Sequence, residues 1–220
     1  MREPINVSGM VLSASPVGEY DKRVVILTRE LGKITAFARG ARRMKSPLMA
    51  VSNPFVFGEF QVYEGRDSYT LSSANIKEYF LDLAQMQPGV YYGFYFLELA
   101  EYFGQEGNDE TQMLNLLYVT MNAIRRGKQD LRLVRCIFEL RTITISGEAP
   151  QMFSCMECGT KENLTVFSLR DSAIYCPECG RTIKDPWPLQ PGTVLACRYI
   201  IAAPLAKLYG FTAVSYTHLR

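Results

Sequence analysis

The chain has 220 residues, of which 48% are hydrophobic and 21% are charged, and its formal net charge is +2. This composition excludes a disordered chain, which could not bury enough apolar surface to offset its ordering entropy. It contains one histidine, His218, which excludes hydrolysis by a serine–histidine pair and a histidine-ligated catalytic metal held inside the fold.

Motifs for catalysis and for targeting are also missing. The sequence has no phosphate-binding glycine loop, dinucleotide-binding glycine turn or nucleophile elbow. It has no run of about 18 uncharged apolar residues, so no membrane span is expected. The first residues include the acidic Glu3 and no long apolar stretch, unlike a secretory signal. The sequence therefore predicts a cytoplasmic binding protein and not an enzyme.

Residues 1–76 predict a small domain of five short strands, at 6–13, 23–28, 33–38, 55–63 and 68–73. The strands show apolar alternation or β-branched runs, and Gly58 is a candidate bulge in the fourth of them. Five strands at this spacing predict a closed barrel, and the OB-fold is the common five-stranded form.

The connection between the third and fourth strands is strongly basic. Eight basic residues and one acidic residue lie between 22 and 45, and the densest part holds Arg39, Arg42, Arg43 and Lys45. A charge run is usually a solvated face. Here, however, the run lies beside the binding face of the predicted OB-fold, and Phe37, Phe55 and Tyr69 are close enough to stack on bases. The basic segment therefore has two interpretations, an oligonucleotide site that binds phosphates and a solvated face whose charge is incidental.

The apolar period becomes helical after residue 76. Helices are predicted at 76–83, 88–103, 109–127 and 130–147, with another at 191–209. These segments define a helical domain in two parts, 77–149 and 188–212. The aromatic run within 91–96 is expected to be core, and a groove for a partner peptide is the alternative.

Residues 150–187 carry two copies of a cysteine motif. Cys155-Met-Glu-Cys158-Gly is repeated as Cys176-Pro-Glu-Cys179-Gly, and seventeen residues separate Cys158 from Cys176. Two residues between thiolates let a tight turn aim both sulfurs at one ion, and the following glycine permits a left-handed backbone. The pattern predicts a zinc ribbon holding one structural Zn²⁺, because four thiolates leave no position for water. Unmetallated thiols would leave the repeated spacing unexplained.

Two segments of the chain together resemble one known family. DKRVVILTRELGKITAFARGARRMKSPL and NPFVFGEFQVYEGRDSYTLSSANI resemble the amino-terminal domain of the RecO family of bacterial recombination mediators. The CMECG and CPECG pairs and the following LACRYIIAAPLAKLYGF resemble that family's zinc insertion and next helix. The resemblance covers roughly residues 1–212. It implies an α+β multidomain protein with an N-terminal OB-fold barrel and an α-helical domain that carries a four-cysteine zinc ribbon.

The resemblance also implies a function and its residues. It implies binding of single- and double-stranded DNA, annealing of complementary strands, and action with RecR to load RecA on DNA coated by the single-strand-binding protein. By position, the DNA-binding candidates are Lys33, Arg39, Arg42, Arg43 and Lys45, and the zinc ligands are Cys155, Cys158, Cys176 and Cys179. Arg132 and Arg135 are the candidates for the acidic tail of the single-strand-binding protein. The alternative is a zinc-stabilised protein–protein adaptor with no intrinsic DNA activity.

The end of the sequence departs from the family pattern. That pattern continues past KLYGF with a further helix, whereas this chain ends nine residues after KLYGF, with TAVSYTHLR. We therefore expect residues 213–220 to be a non-native tail, which would make His218 foreign as well.

Overall fold

Five strands form a closed barrel in the computed structural model, which describes residues 3–211. They are β1 (Ile5–Val17), β2 (Asp21–Thr28), β3 (Gly32–Ala38), β4 (Phe57–Glu64) and β5 (Tyr69–Glu78). Their order around the barrel is β1-β2-β3-β5-β4, and β4 pairs with β1 to close it. Only the β3–β5 pairing is parallel. The OB-like barrel predicted from the sequence is confirmed.

Residues two apart on a strand share a face. The apolar alternation therefore gives each strand one apolar face, and closure of the barrel buries these faces together. The inward residues form one apolar core, which includes Val7, Val11, Val24, Ile26, Ile34, Phe60 and Leu71. Gly58 pairs with Gly9 across β1 and β4, and the β4–β5 register shifts between Phe57 and Gly58. A Cβ at Gly58 would lie 2.5 Å from the Asn75 carbonyl oxygen. The irregularity predicted at this glycine is confirmed.

Between β3 and β4 lies a short helix, α1 (Leu48–Val51), and two longer helices follow the barrel, α2 (Gly89–Phe103) and α3 (Thr111–Arg126). The helix predicted at 76–83 is wrong, because β5 runs to Glu78 and Ile76 pairs with Gly58. Phe80 then has a positive φ of 49°, and a short 3-10 turn covers Leu81–Gln85.

Helix α2 buries only part of its aromatic run. Phe96 is fully buried, whereas Tyr91 is 63% and Phe94 44% exposed. The prediction that residues 91–96 are core is therefore wrong for two of its rings. Helix α3 is tied to the start of the helical region by Arg125, whose guanidinium contacts the carboxylates of Glu78 at 3.0 Å and Asp82 at 3.2 Å.

The chain divides into two compact units between Leu131 and Arg132. The second unit begins with the second residue of α4 (Leu131–Ile145) and contains β6 (Val166–Ser168), β7 (Ala173–Tyr175), β8 (Trp187–Pro188) and α5 (Pro191–Ala202). Strands β6 and β7 form a small hairpin within the ribbon, and β8 pairs with β6.

Helix α5 is shorter than predicted, because Pro204 has no N–H with which to continue it. The Arg141 guanidinium of α4 donates to the carbonyl oxygens of Ile200 and Ile201 at the end of α5. Burial lowers the pKa of Arg141. Within residues 3–211, no helix is both long enough and apolar enough to cross a membrane. The tail predicted at 213–220 lies outside the described residues.

Candidate nucleic-acid interface and metal centre

The basic loop 39–45 lies against the turn between β1 and β2. The Arg42 N–H donates to the Tyr20 carbonyl oxygen at 2.8 Å, and Arg42 Nη1 donates to the Gly18 carbonyl oxygen at 3.2 Å. The Arg43 guanidinium lies 4.9 Å from the centre of the Tyr20 ring. The Gly40 N–H donates to an Asp21 carboxylate oxygen at 2.7 Å. The loop is therefore fixed at its backbone while its cationic side chains face solvent.

Four of the five predicted DNA-binding residues share this loop and are exposed, namely Arg39, Arg42, Arg43 and Lys45. Lys22 joins them from the start of β2, where its Nζ donates to Asn53 Oδ1 at 2.7 Å. Partial burial and the nearby positive charge of Arg42 lower the pKa of Lys22. Like charges held this close repel one another, so a bound phosphate would lower the electrostatic free energy of the cluster.

Lys33 lies elsewhere. It sits at the start of β3, whereas the loop begins after its end, roughly 20 Å away at about 3.3 Å per residue. Its Nζ donates to the carbonyl oxygen of Glu101 at 2.6 Å, near the end of α2. A cation at a helix C-terminus satisfies open carbonyl groups there. The structure therefore does not bring Lys33 together with the other four candidates.

A groove of 590 Å³ opens on the barrel beside Lys33. Its walls are β3, the 64–68 turn and the 106–107 segment, and Phe37 and Tyr69 contribute aromatic rings. Burial and the negative charges of Glu64 and Glu106 raise the pKa of Tyr69. Phe55, the third ring predicted to stack on bases, is only 7% exposed and packs edge-on against Phe94. That prediction is wrong, because Phe55 belongs to the packing between the barrel and α2.

Sequence reasoning missed Lys22 and Tyr20 as members of the cationic surface. A signal for Lys22 was present, because extending the predicted second strand back by one residue and pairing it with the third as an antiparallel hairpin sets Lys22 opposite Ala38. That register places it beside the first residues of the basic loop. Tyr20 had no comparable signal, since its contact with Arg43 depends on how the loop folds back over the turn.

The four cysteines of the repeated motif form one cluster in the second unit. Their Sγ atoms all lie within 4.8 Å of one another, and those of Cys158 and Cys176 are 3.8 Å apart. Each turn has an equivalent hydrogen bond: the Gly159 N–H donates to the Cys155 carbonyl oxygen at 2.9 Å, and the Gly180 N–H donates to the Cys176 carbonyl oxygen at 2.9 Å. This set of sulfur atoms can hold a metal ion.

The two glycines serve different purposes. Gly159 has a φ of 73° and adopts the predicted left-handed conformation. Gly180 does not, and the expectation of a left-handed turn is wrong there. A Cβ at Gly180 would instead lie 2.8 Å from the Cβ of Val166 in β6. The second glycine is therefore required by close packing on the hairpin.

Ionisation of the thiols is uneven when no cation balances their charge. Burial opposes ionisation of Cys155, but backbone N–H groups of Cys158, Cys176 and Glu157 donate to its sulfur and lower its pKa to about 6. The pKa of Cys179 is raised to about 12 by its hydrogen bond with the Cys176 thiol and by burial. Ionisation of one thiol thus makes ionisation of a neighbouring thiol less favourable, and a bound divalent cation would allow all four thiols to ionise.

Arg132 and Arg135 lie in the first turn and a half of α4, and both are exposed. Arg135 Nε is 3.3 Å from Glu139 Oε1, an ion pair between residues four apart on the helix. The guanidinium of Arg135 is therefore oriented along the helix surface, in a contact that solvent screens.

Comparisons with known proteins point to one family. Residues 1–80 match the family model described as Recombination protein O N terminal, and residues 89–217 match Recombination protein O C terminal. The chain is 32% identical to DNA repair protein RecO of Alkaliphilus metalliredigens, over 97% of this chain and 87% of that protein. The identity to DNA repair protein RecO of Bacillus pumilus is 31%, over 93% of this chain and 79% of that protein. The identity to DNA repair protein RecO of Bacillus subtilis is 28%, over 91% of this chain and 78% of that protein.

Proposed function

The chain belongs to the RecO family of DNA repair proteins, and from this premise we propose that it is a recombination mediator that binds DNA and anneals complementary strands in the bacterial cytoplasm. The observation that carries the proposal is the basic loop 39–45, whose exposed cations are held against the β1–β2 turn with Lys22 beside Arg42. Cations fixed in this way bind both single and double strands, because both carry backbone phosphates and phosphate contacts do not depend on the base sequence.

Annealing by this surface needs no chemical step. Two complementary strands repel each other through their phosphates, and bound Arg and Lys side chains reduce that repulsion. A strand held by its phosphates keeps its base edges available for pairing. We therefore assign Arg39, Arg42, Arg43 and Lys45 to phosphate binding and assign no catalytic residue. The Lys33 ammonium donates to the Glu101 carbonyl oxygen. We therefore do not assign Lys33 to the phosphate-binding loop, and it would contact DNA only through the wall of the groove.

An annealing assay tests the proposal directly. Two complementary oligonucleotides, one with a fluorophore and one with a quencher, are mixed with and without the protein in the absence of any nucleotide. Annealing faster than the spontaneous rate is expected. A rate equal to the spontaneous one, with folded protein in excess, would contradict the proposed function.

We assign one structural Zn²⁺ to Cys155, Cys158, Cys176 and Cys179. A tetrahedral ion with zinc–sulfur bonds of about 2.3 Å requires sulfur atoms about 3.8 Å apart, and the Cys158–Cys176 distance of 3.8 Å agrees with that value. Four thiolate ligands are typical of closed structural sites. When bound, the ion would offset half of the negative charge of the four thiolates and link the two ends of the ribbon.

For the protein partners, we propose RecR, the acidic C-terminal tail of the single-strand-binding protein and, through them, RecA. Arg132 and Arg135 are the proposed anchors for the acidic tail. Breaking the exposed Arg135–Glu139 pair costs at most about 1 kcal/mol, so this contact does not prevent Arg135 from binding a carboxylate.

Replacing both Arg132 and Arg135 by alanine is expected to weaken binding of a peptide with that acidic tail sequence by about tenfold, because two cation–carboxylate contacts are lost. Titration calorimetry measures the affinity. Arg126→Ala with Lys128→Ala removes the same charge from exposed positions at and just after the end of α3 and serves as the control. Equal affinity of wild type and the Arg132/Arg135 variant would remove these residues from the proposed tail site.

A further inference from the structure

Helix α2 carries a stripe of exposed aromatic rings, formed by Tyr91, Phe94 and Tyr102. These three positions share one face of the helix, because 3.6 residues complete each turn. Tyr102 is 81% exposed, and the other two rings are exposed as well. The buried residues of α2, which include Phe96 and Leu97, lie on the opposite face. The aromatic stripe therefore points away from the core of its own unit.

The surroundings of the aromatic stripe are acidic. Residues 78–110 contain seven acidic residues and no lysine or arginine. Glu98 lies on the stripe between Phe94 and Tyr102, and its exposed carboxylate has no ion-pair partner within residues 3–211. Aromatic faces attract cations, and a nearby carboxylate adds to this attraction. The stripe therefore suits a basic segment that also carries an apolar side chain.

The basic loop 39–45 has this composition. Met44 lies between Arg43 and Lys45, and at 91% exposed it is the most exposed large apolar side chain of the described residues. A thioether packs favourably against aromatic rings, and guanidinium groups stack on them. The loop thus complements the stripe in charge and in apolar contact.

Within one chain the loop and this part of α2 are far apart. Glu101 lies between Glu98 and Tyr102, and its carbonyl oxygen accepts a hydrogen bond from Lys33. Lys33 in turn stands roughly 20 Å from the loop along β3. A contact between the loop and the stripe therefore requires two copies of the chain.

We propose that the basic loop of one copy docks on the aromatic stripe of a second copy, so that self-association covers the surface that binds DNA. The consequence for DNA rests on the proposed function, which assigns the loop to phosphates. Phosphates and the stripe use the same cations, so DNA binding and self-association exclude each other. Because the two surfaces differ, one contact leaves a loop and a stripe open for further copies.

Sedimentation velocity of the full chain over a range of concentrations at low salt measures the self-association. Wild type is expected to form oligomers that added salt dissociates, because salt screens exposed opposite charges. A stripe variant, Tyr91→Ala with Glu98→Gln and Tyr102→Ala, should weaken self-association at least about tenfold. Its affinity for a short single-stranded oligonucleotide, measured below the concentrations of self-association, should equal that of wild type, since no loop cation is changed.

Leu195→Ala with Glu148→Gln is the matched control, because it removes an exposed apolar side chain and an exposed carboxylate from the second unit. This variant should self-associate as wild type does. Loss of self-association in the control to the same extent as in the stripe variant would contradict a specific role of the stripe.

Mixing two variants tests which surfaces meet. The stripe variant keeps the basic loop, and a loop variant, Arg42→Glu with Arg43→Glu, keeps the stripe. Neither variant should self-associate alone, whereas an equimolar mixture should form a one-to-one complex. The short oligonucleotide should dissociate both this complex and the wild-type oligomers, since it occupies the loop.

Three results overturn the inference: wild type that stays monomeric at every concentration, a mixture of the two folded variants that stays monomeric, and an oligomer that binds the oligonucleotide without dissociating. In the last case the loop would be accessible within the assembly. Failure of monomeric wild type to bind the oligonucleotide contradicts the proposed function instead, and the mixture then decides the contact between copies by itself.

Discussion

Replacing Cys155 by serine is expected to abolish metal binding and to unfold the ribbon, residues 150–187. Strands β6, β7 and β8 have three, three and two residues, which is too short for a sheet that is stable alone. Binding of a structural zinc ion contributes about 10–16 kcal/mol in small zinc domains, which is comparable to the whole stability of a typical domain. Losing one ligand therefore removes the main stabilising interaction of this segment.

Zinc content by atomic spectroscopy and protection of ribbon amides by hydrogen exchange measure this effect. Cys136→Ser is the matched control, since Cys136 is an exposed thiol on α4 outside the cluster, and it should keep both the metal and the protection. A Cys155→Ser protein with a protected, metal-free ribbon would contradict the structural role of the metal. Chelation of wild type should reproduce the unfolding seen in the variant.

Reversing the charge of Arg42 and Arg43 together should lower DNA affinity on the order of 100-fold and abolish annealing, since phosphate contacts supply most of the non-specific binding free energy. The Arg42 N–H bond to the Tyr20 carbonyl oxygen involves only main chain, so the loop keeps its position against the turn. The loss of DNA affinity and annealing would then result from the change in charge and not from unfolding.

Anisotropy of a labelled oligonucleotide and the rate of strand annealing provide the two measurements for Arg42→Glu with Arg43→Glu. Arg126→Glu with Lys128→Glu changes the net charge equally at exposed positions at and just after the end of α3, and it should leave the DNA affinity and the annealing rate nearly unchanged. Normal annealing by the Arg42/Arg43 variant would mean that the basic loop is not the DNA site.

Local patterns predicted the barrel and the cysteine cluster well. Alternation of apolar residues specifies strands wherever one face is buried, and the five strands follow it closely enough to give the fold. The repeated CxxCG motif brings four cysteines together because each turn places two thiols close to each other. In both cases the information lies within a few consecutive residues.

Predictions failed where packing between distant segments decided the outcome. The apolar residues at 76, 79, 80 and 83 fit a helix, but pairing with β4 extends β5 through Ile76. Phe55 was expected near DNA, yet its ring packs on Phe94 of α2, far along the chain. The resemblance placed Lys33 among the same DNA-binding candidates as the loop residues, whereas its position along an extended strand separates it from that loop.

The central claim is that the basic loop binds DNA through its phosphates. It is tested most directly by fluorescence anisotropy of a labelled single-stranded oligonucleotide, titrated with zinc-replete, monodisperse protein at several salt concentrations. If the four loop cations each neutralise one phosphate, log affinity should fall with log salt at a slope of about −3, from about −0.7 per contact. A folded protein that binds no single strand even at low salt would contradict the claim and favour the protein–protein adaptor.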